Sequence, residues 1–193
     1  VVDFTSGLMV TNLGHNHIYL NNRMKNFMDK GLLFAPPSIL IDEREKLSER
    51  LINISGFDGG KVFYTNAGAD ANEAALYFAN SYNQEKKRIL RFEKSFHGGS
   101  SYISSYLGGD KRRNQKLGHF DLDFYQDNIL PNPKMSDGGV ESLNKIEQIF
   151  QKEHKNISGI LIEGSSGTGG IYTYPKNYLD SLGKLVKKYD ILL

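Results

Sequence analysis

The residues able to do chemistry fall in three short stretches. The first is Lys61 to Asn80, KVFYTNAGADANEAALYFAN, where the strand-forming Val62, Phe63, Tyr64 and Thr65 meet a small-residue turn, Asn66-Ala67-Gly68-Ala69, and a helical pattern follows at once. A strand, a tight turn and a helix N-terminus in succession aim free backbone N–H groups and the positive end of the helix dipole at one spot, which suits a phosphate. The second is Ser95-Phe96-His97-Gly98-Gly99-Ser100, which follows an expected strand at Arg88 to Glu93. It reads either as a turn with Phe96 buried or as a ring covering a planar ligand, and the residues alone leave both open. The third is the apolar run ISGILIE, which ends on the carboxylate of Glu163 and enters Gly164-Ser165-Ser166-Gly167-Thr168-Gly169-Gly170. That loop lacks both the Gly-Lys-Ser/Thr of a Walker loop and a complete GxGxxG, so alone it is only a flexible loop at a strand end.

The elements that must position these stretches can be read in order. Val1 to His17 mixes β-branched residues, glycines and the pair His15 and His17 without a sustained period; the pair has no third ligand nearby, so a structural role is preferred to a metal site. A helix is expected from Ile18 to Gly31, and an amphipathic packing helix from Ile39, with Leu40, Leu47, Leu51 and Ile54 at helical spacing and Gly56 closing it. The helix after the Ala67 turn sets Ala71, Ala74, Ala75, Phe78 and Ala79 on one face for close packing onto a sheet. From Gly108 to Gly138 the chain is irregular, with a possible strand at Gly118 to Leu122. A helix from about Val140 to Glu153 should bury Leu143, Ile146, Ile149 and Phe150, and the ISGILIE run reads as a strand covered on both faces. Pro175 opens a last helix with the stripe Tyr178, Leu179, Leu182, Leu185, Val186 and Tyr189, and Asp190-Ile191-Leu192-Leu193 begins another strand. This alternation predicts an α/β fold with a mainly parallel sheet flanked by helices, whose ligands belong at the carboxyl ends of the strands. All three stretches lie at such ends.

Composition narrows the classes further. With 193 residues, 39% hydrophobic and 24% charged, the chain can bury a well-formed core and is neither disordered nor membrane-spanning in character. No apolar run reaches bilayer length and no signal-peptide layout opens the chain, so the cytoplasm is the expected compartment. Zero cysteines exclude disulfides, thiolate metal sites and a cysteine nucleophile. The net charge of +2 is interspersed, and the cluster Lys111-Arg112-Arg113 reads as a solvated loop rather than a nucleic-acid patch.

Taken together the motifs resemble those of the class III aminotransferases, which use pyridoxal 5'-phosphate on the fold-type-I scaffold, and the resemblance runs nearly end to end. Asp3-Phe4-Thr5-Ser6-Gly7 with Asn12-Leu13-Gly14-His15 looks like the family's amino-terminal active-site segment, and Thr65 to Glu73 like its phosphate turn. Phe96-His97-Gly98 looks like its cofactor-stacking motif, and Ile160 to Glu163 with the glycine-rich tail like its glutamate before the loop. The resemblance implies cofactor contacts from Ala67, Gly68, Ala69, Phe96, His97 and Glu163, with Gly68 and Ala69 donating N–H groups to the phosphate. Ala67 departs from the serine common at that position, which leaves the phosphate more dependent on backbone or on a partner subunit. Asp70 and Glu73 would repel a phosphate and are expected to point away. His97 is expected to anchor backbone rather than serve as acid or base, and Glu163 to support the hydrogen-bond network around the ring.

The family's ring-nitrogen aspartate and Schiff-base lysine are expected beyond Leu193, so the chain reads as truncated and inactive alone. Lys61 and Lys94 look like solvated positions at element ends and are assigned no role. Residues 1–55 are expected to be an N-terminal segment with packing helices, and 56–193 an incomplete large α/β domain. The resemblance implies a homodimer that transfers an amino group from an amine or amino acid to a keto acid such as pyruvate, without a metal. The run Gly108 to Arg113 looks like a segment of the ω-amine and taurine transaminase branch. The alternative is a non-catalytic fragment that keeps only a phosphate or cofactor half-site.

Overall fold

The computed structural model describes residues 2–31, 35, 36, 38–86, 88–99, 128–167 and 169–193. The expected strand at Gly118 to Leu122 and the runs Gly108 to Arg113 and Lys111 to Arg113 lie outside the described residues. The chain divides into two units, Val1–Val62 and Phe63–Leu193.

In the first unit the carboxylate of Asp3 organises the opening turns. It accepts from the Thr5 N–H at 2.9 Å, the Thr5 hydroxyl at 2.8 Å and the Gly7 N–H at 2.7 Å, and lies 3.5 Å from His15 Nε2. These donors, the Thr5 hydroxyl first, lower the Asp3 pKa from its ordinary value. The two halves of the expected amino-terminal segment therefore meet at Asp3 and His15, across a left-handed turn at Ser6–Met9. Helix α1 (Ile18–Met28) and helix α2 (Asp42–Ser55) follow, the latter with Asp42, Glu43 and Glu45 at its positive end and Gly56 in the left-handed region at φ 72° as its stop. Neither helix buries a residue, and Leu40, Leu47 and Ile54, expected to pack, are exposed. Two short helices offer too little surface to enclose each other's apolar stripe.

The second unit holds the core. Helix α3 (Gly68–Tyr82), strand β1 (Arg88–Phe92), strand β2 (Ile129–Leu130), helix α4 (Val140–Glu153), strand β3 (Ile157–Leu161) and helix α5 (Tyr178–Lys188) build a three-stranded parallel sheet in the order β2-β1-β3. Arg91 pairs with Ile129 and Leu161, and a register shift lies between Arg88 and Ile89. A further parallel bridge joins Gly159 to Leu192, where the last expected strand begins. Leu90, Phe92, Leu130, Ile157 and Ile160 of the sheet meet Ile146 and Phe150 of α4 and Tyr178, Leu182 and Val186 of α5. Leu143, Ile149, Leu185 and Tyr189 pack against this cluster from its margin.

Three local expectations are corrected. Val62 to Thr65 forms no strand, because no described strand lies beside it to complete a ladder. Beside buried Ala69 the half-buried residues of α3 are Asp70, Asn72, Glu73, Ala74, Leu76 and Ala79, so of the expected face Ala74 and Ala79 are partly covered while Ala71, Ala75 and Phe78 are exposed. An alanine-rich helix has too little contrast between faces for periodicity to choose one. Pro175 precedes rather than begins α5: its carbonyl accepts from the Tyr178 N–H at 3.0 Å, and Asn177 is the N-cap in a left-handed conformation.

Candidate active site

Parallel pairing of β1 with β3 brings the loops at their carboxyl ends side by side. The loop after β1 is held at its root by the Ser95 hydroxyl, which donates to the Phe92 carbonyl at 2.8 Å, and by the Asn132 amide, which donates to the Glu93 carbonyl at 2.9 Å. The loop after β3 closes on itself, Ser166 N–H donating to the Tyr172 carbonyl at 3.0 Å and Ile171 N–H to the Gly167 carbonyl at 3.2 Å. A Cβ at Gly169 would sit 2.3 Å from Ser166 Oγ and 3.1 Å from the Lys94 carbonyl, so the two loops approach closely here and a side chain at this position would require Ser166 to shift. Helix α3 joins the loop after β1 through Asn72, whose side-chain amide donates to the His97 carbonyl at 2.7 Å.

The start of α3 is open to an anion. Its ladder begins with the Ala71 N–H donating to the Ala67 carbonyl at 3.0 Å, and the N-cap Ala67 supplies no side-chain cap. The N–H groups of Gly68, Ala69 and Asp70 thus precede the ladder, at the positive end of a 15-residue helix. Nothing lies within 4 Å of the position a Cβ would take on Gly68. Thr65 turns its hydroxyl the other way, donating to the Ala67 carbonyl at 3.0 Å.

Phe96 is 38% exposed, which removes the reading in which it is a buried turn residue. His97 beside it is 4% exposed, and among the described residues its Nε2 has no hydrogen-bond partner. Burial, and then the positive charge of buried Arg91, push its pKa down to about 4, so the imidazole is neutral. The backbone is anchored at this position through the His97 carbonyl rather than through the ring.

Glu163 is half-buried two residues beyond β3, which stops at Leu161 short of the expected end of the ISGILIE run. Tyr172 and Tyr174 both have raised pKa values, mainly from burial, with the Glu163 charge adding to the effect. Tyr174 stacks on Tyr178 with ring centroids 5.6 Å apart, and Tyr178 hydrogen-bonds Ser142 at 2.8 Å, which ties this side of the site to α4 and α5. Lys94 and Lys61 are both exposed. Among the described residues no group of three or more His, Asp or Glu side chains could hold a metal ion.

Ala67, Gly68 and Ala69 thus lie at the cap and first turn of α3, and Phe96, His97 and Glu163 in loops of the second unit, with the α3 end joined directly to the His97 loop and the Glu163 loop in contact with Lys94. Asn72 and Arg91 were not singled out from the sequence. The signal for Arg91 is a charge inside the apolar strand RILRF; for Asn72 it is a polar residue on the strip that α3 turns inward.

Comparison with known proteins finds similar chains. The chain is 30% identical over 200 residues to the acetylornithine/succinyldiaminopimelate aminotransferase of Buchnera aphidicola, covering 100% of this chain and 44% of that protein. It is 32% identical over 202 residues to the mitochondrial acetylornithine aminotransferase of Candida glabrata, again covering 100% of this chain and 44% of the relative. Among solved structures, the taurine:2-oxoglutarate aminotransferase of Bifidobacterium kashiwanohense, in complex with PLP and glutamate, superposes with a TM-score of 0.83 at 26% identity, covering 99% of this chain and 45% of that one. The expected α/β fold with a parallel sheet is borne out, and the chain spans less than half the length of these relatives. The family model Aminotransferase class-III matches residues 1–193, and the chain belongs to the class III aminotransferases.

Proposed function

We propose that the protein to which this chain belongs is a pyridoxal-phosphate-dependent aminotransferase, moving an amino group from an amine or amino acid to a keto acid such as pyruvate. The observation that carries the reading is the contact of Asn72 with the His97 carbonyl at 2.7 Å, which brings the uncapped helix end to the Phe96 loop. The residues present fit the cofactor: N–H groups ahead of the α3 ladder and open space at Gly68 suit a phosphate, and a half-exposed aromatic suits a planar ring.

In this reading the backbone N–H groups of Gly68 and Ala69, with the Ala67 turn, hold the phosphate. Phe96 covers one face of the ring and excludes water from it, His97 fixes the loop that carries Phe96, and Glu163 supports the polar network beside the ring. When bound, pyridoxal phosphate supplies an electron sink for negative charge at the substrate α-carbon. Residues 1–55 form an N-terminal segment and 56–193 an incomplete large domain. The protein works as a homodimer in the cytoplasm, without nucleic acid or membrane as partner; among the described residues no helix is long and apolar enough to cross a membrane. The ω-amine and taurine branch supplies the first donors to try, because a taurine:2-oxoglutarate aminotransferase is among the structural neighbours.

The test is reconstitution of the purified full-length protein with pyridoxal phosphate, followed by assay with taurine, aliphatic ω-amines and acetylornithine against pyruvate and 2-oxoglutarate. The expected result is retained cofactor absorbance that borohydride fixes to the protein, with amino transfer to a keto acid. A full-length protein that retains no cofactor overturns the proposal. A second reading, a non-catalytic half-site, is favoured by the exposure of Lys94 and Lys61 beside these elements. It predicts cofactor binding by residues 1–193 with no fixation by borohydride and no activity in the full protein.

A further inference from the structure

We propose that Asn72 is a positioning residue that locks the phosphate-binding end of α3 to the Phe96 loop, so that the two ends of one rigid cofactor are held in register; this rests on the function proposed above. The two stations belong to separate elements, and 25 residues separate the atoms that join them. Each station alone can be well formed and still be misplaced relative to the other, and an error of about 1 Å between binding groups is enough to lose much of what a rigid ligand gains from both.

The frame on either side of the contact is fixed. On α3, Asn72 shares the half-buried strip with Ala69, which is buried, and with Ala79, whose carbonyl accepts from the Ser158 hydroxyl of β3 at 3.3 Å. On the loop, the His97 imidazole is buried and Ser95 closes back on Phe92 at 2.8 Å. Gly98 has φ 126°, a conformation that side-chain-bearing residues rarely adopt, and it follows directly on the carbonyl that Asn72 meets. Phe96 precedes the same carbonyl by one residue. A single amide therefore sets the loop backbone that carries the ring against the helix that carries the anion site, and its 2.7 Å length is at the short end for an N–H···O hydrogen bond.

The experiment uses the full-length protein and pyridoxamine 5'-phosphate, which has no aldehyde to condense with a lysine, so that affinity reports the non-covalent site. Inorganic phosphate and pyridoxamine probe the two ends separately. Asn72→Leu keeps the size of the side chain and removes the donor facing the His97 carbonyl without adding a charge near the anion site. It is expected to weaken pyridoxamine phosphate about tenfold or more, the order of one lost hydrogen bond, with inorganic phosphate changed less than about twofold. Asn72→Ser, shorter and still polar, is read in the same way if the leucine variant does not fold, and Asn80→Ala on the exposed side of α3 serves as the control with unchanged affinity. A fall in melting temperature with pyridoxamine phosphate affinity within about twofold of wild type assigns Asn72 to structure alone and overturns the inference. Equal losses for inorganic phosphate and for the intact cofactor also overturn it, because Asn72 then acts on the anion site and not on the register between ends. Failure of the wild-type protein to bind pyridoxamine phosphate overturns the function reading and this inference with it, whereas wild-type binding with an unchanged Asn72→Leu variant overturns the inference alone.

Discussion

At the scale of single residues, His97 makes the sharpest demand on its surroundings. An imidazole beside the buried Arg91 guanidinium is neutral in the fold, with its pKa lowered from 6.5 to about 4, first by burial and then by that charge. In the unfolded chain the same ring titrates near its ordinary value. Between the two values the unfolded state binds a proton that the folded state refuses, so stability is intact above about pH 6.5 and falls as pH drops towards 4. The loss is expected to be on the order of 2 to 3 kcal/mol. Urea denaturation of the chain at pH 8 and pH 5 should show it, and His97→Asn, neutral throughout, should lose much of that part of the pH dependence. An equal pH dependence in the variant sinks the assignment to His97. A histidine between Phe96 and Gly98 was read as a loop anchor from its neighbours in the chain. That the hydrogen-bonded group is the carbonyl, and that the charge of Arg91 near the end of β1 acts on the ring, depends on a chain path that no local pattern encodes.

At the scale of elements, the start of α4 shows how backbone and packing combine. Gly138 and Gly139 both have positive φ, 64° and 82°, so a side chain at either strains the backbone by about 1–2 kcal/mol. They differ in what surrounds them: a Cβ at Gly138 has nothing within 4 Å, whereas one at Gly139 would lie 2.3 Å from the Tyr178 ring of α5. Tyr178 is fully buried and held by Ser142, so it has little room to yield. Gly139→Ala is therefore expected to destabilise the chain by about 3–4 kcal/mol and Gly138→Ala by about 1–2, the excess being overpacking. Comparing the two urea midpoints checks this, and equal midpoints contradict it. Helices α4 and α5 were readable because Ile146 and Phe150, and Tyr178, Leu182 and Val186, recur at helical spacing against charged neighbours. Helix α3 was readable as a helix but not in its orientation, since alanine marks neither face. Strand β2 has two residues and no period to read, and Val62 to Thr65 has strand-like residues but no partner among the described strands.

At the scale of the molecule, the apolar residues of the two units have different fates, and this decides where substitutions matter. In Phe63–Leu193 the large side chains of α4 and α5 close over the sheet, and Phe150 is fully buried with its ring edge-on to Tyr189 at 5.4 Å. In Val1–Val62, Leu47 and Ile54 are 47% and 72% exposed and Leu51 is half-buried, so among the described residues much of the helical stripe legible in the sequence lies open. The spacing of Leu40, Leu47, Leu51 and Ile54 tells that a helix has an apolar side. It cannot tell what covers that side. Phe150→Ala is accordingly expected to lower the stability of residues 1–193 by about 3–5 kcal/mol, the range for emptying a packed aromatic site. Ile54→Ala, on a side chain already in water, is expected to stay within about 0.5 kcal/mol. The same pair of substitutions in the full-length protein gives the contrast its meaning. The Phe150 effect should carry over, because its neighbours are already in place, whereas any additional chain that covers α2 should raise the Ile54 effect towards that of a core position. A large Ile54 effect in residues 1–193 themselves contradicts the exposure on which this argument stands.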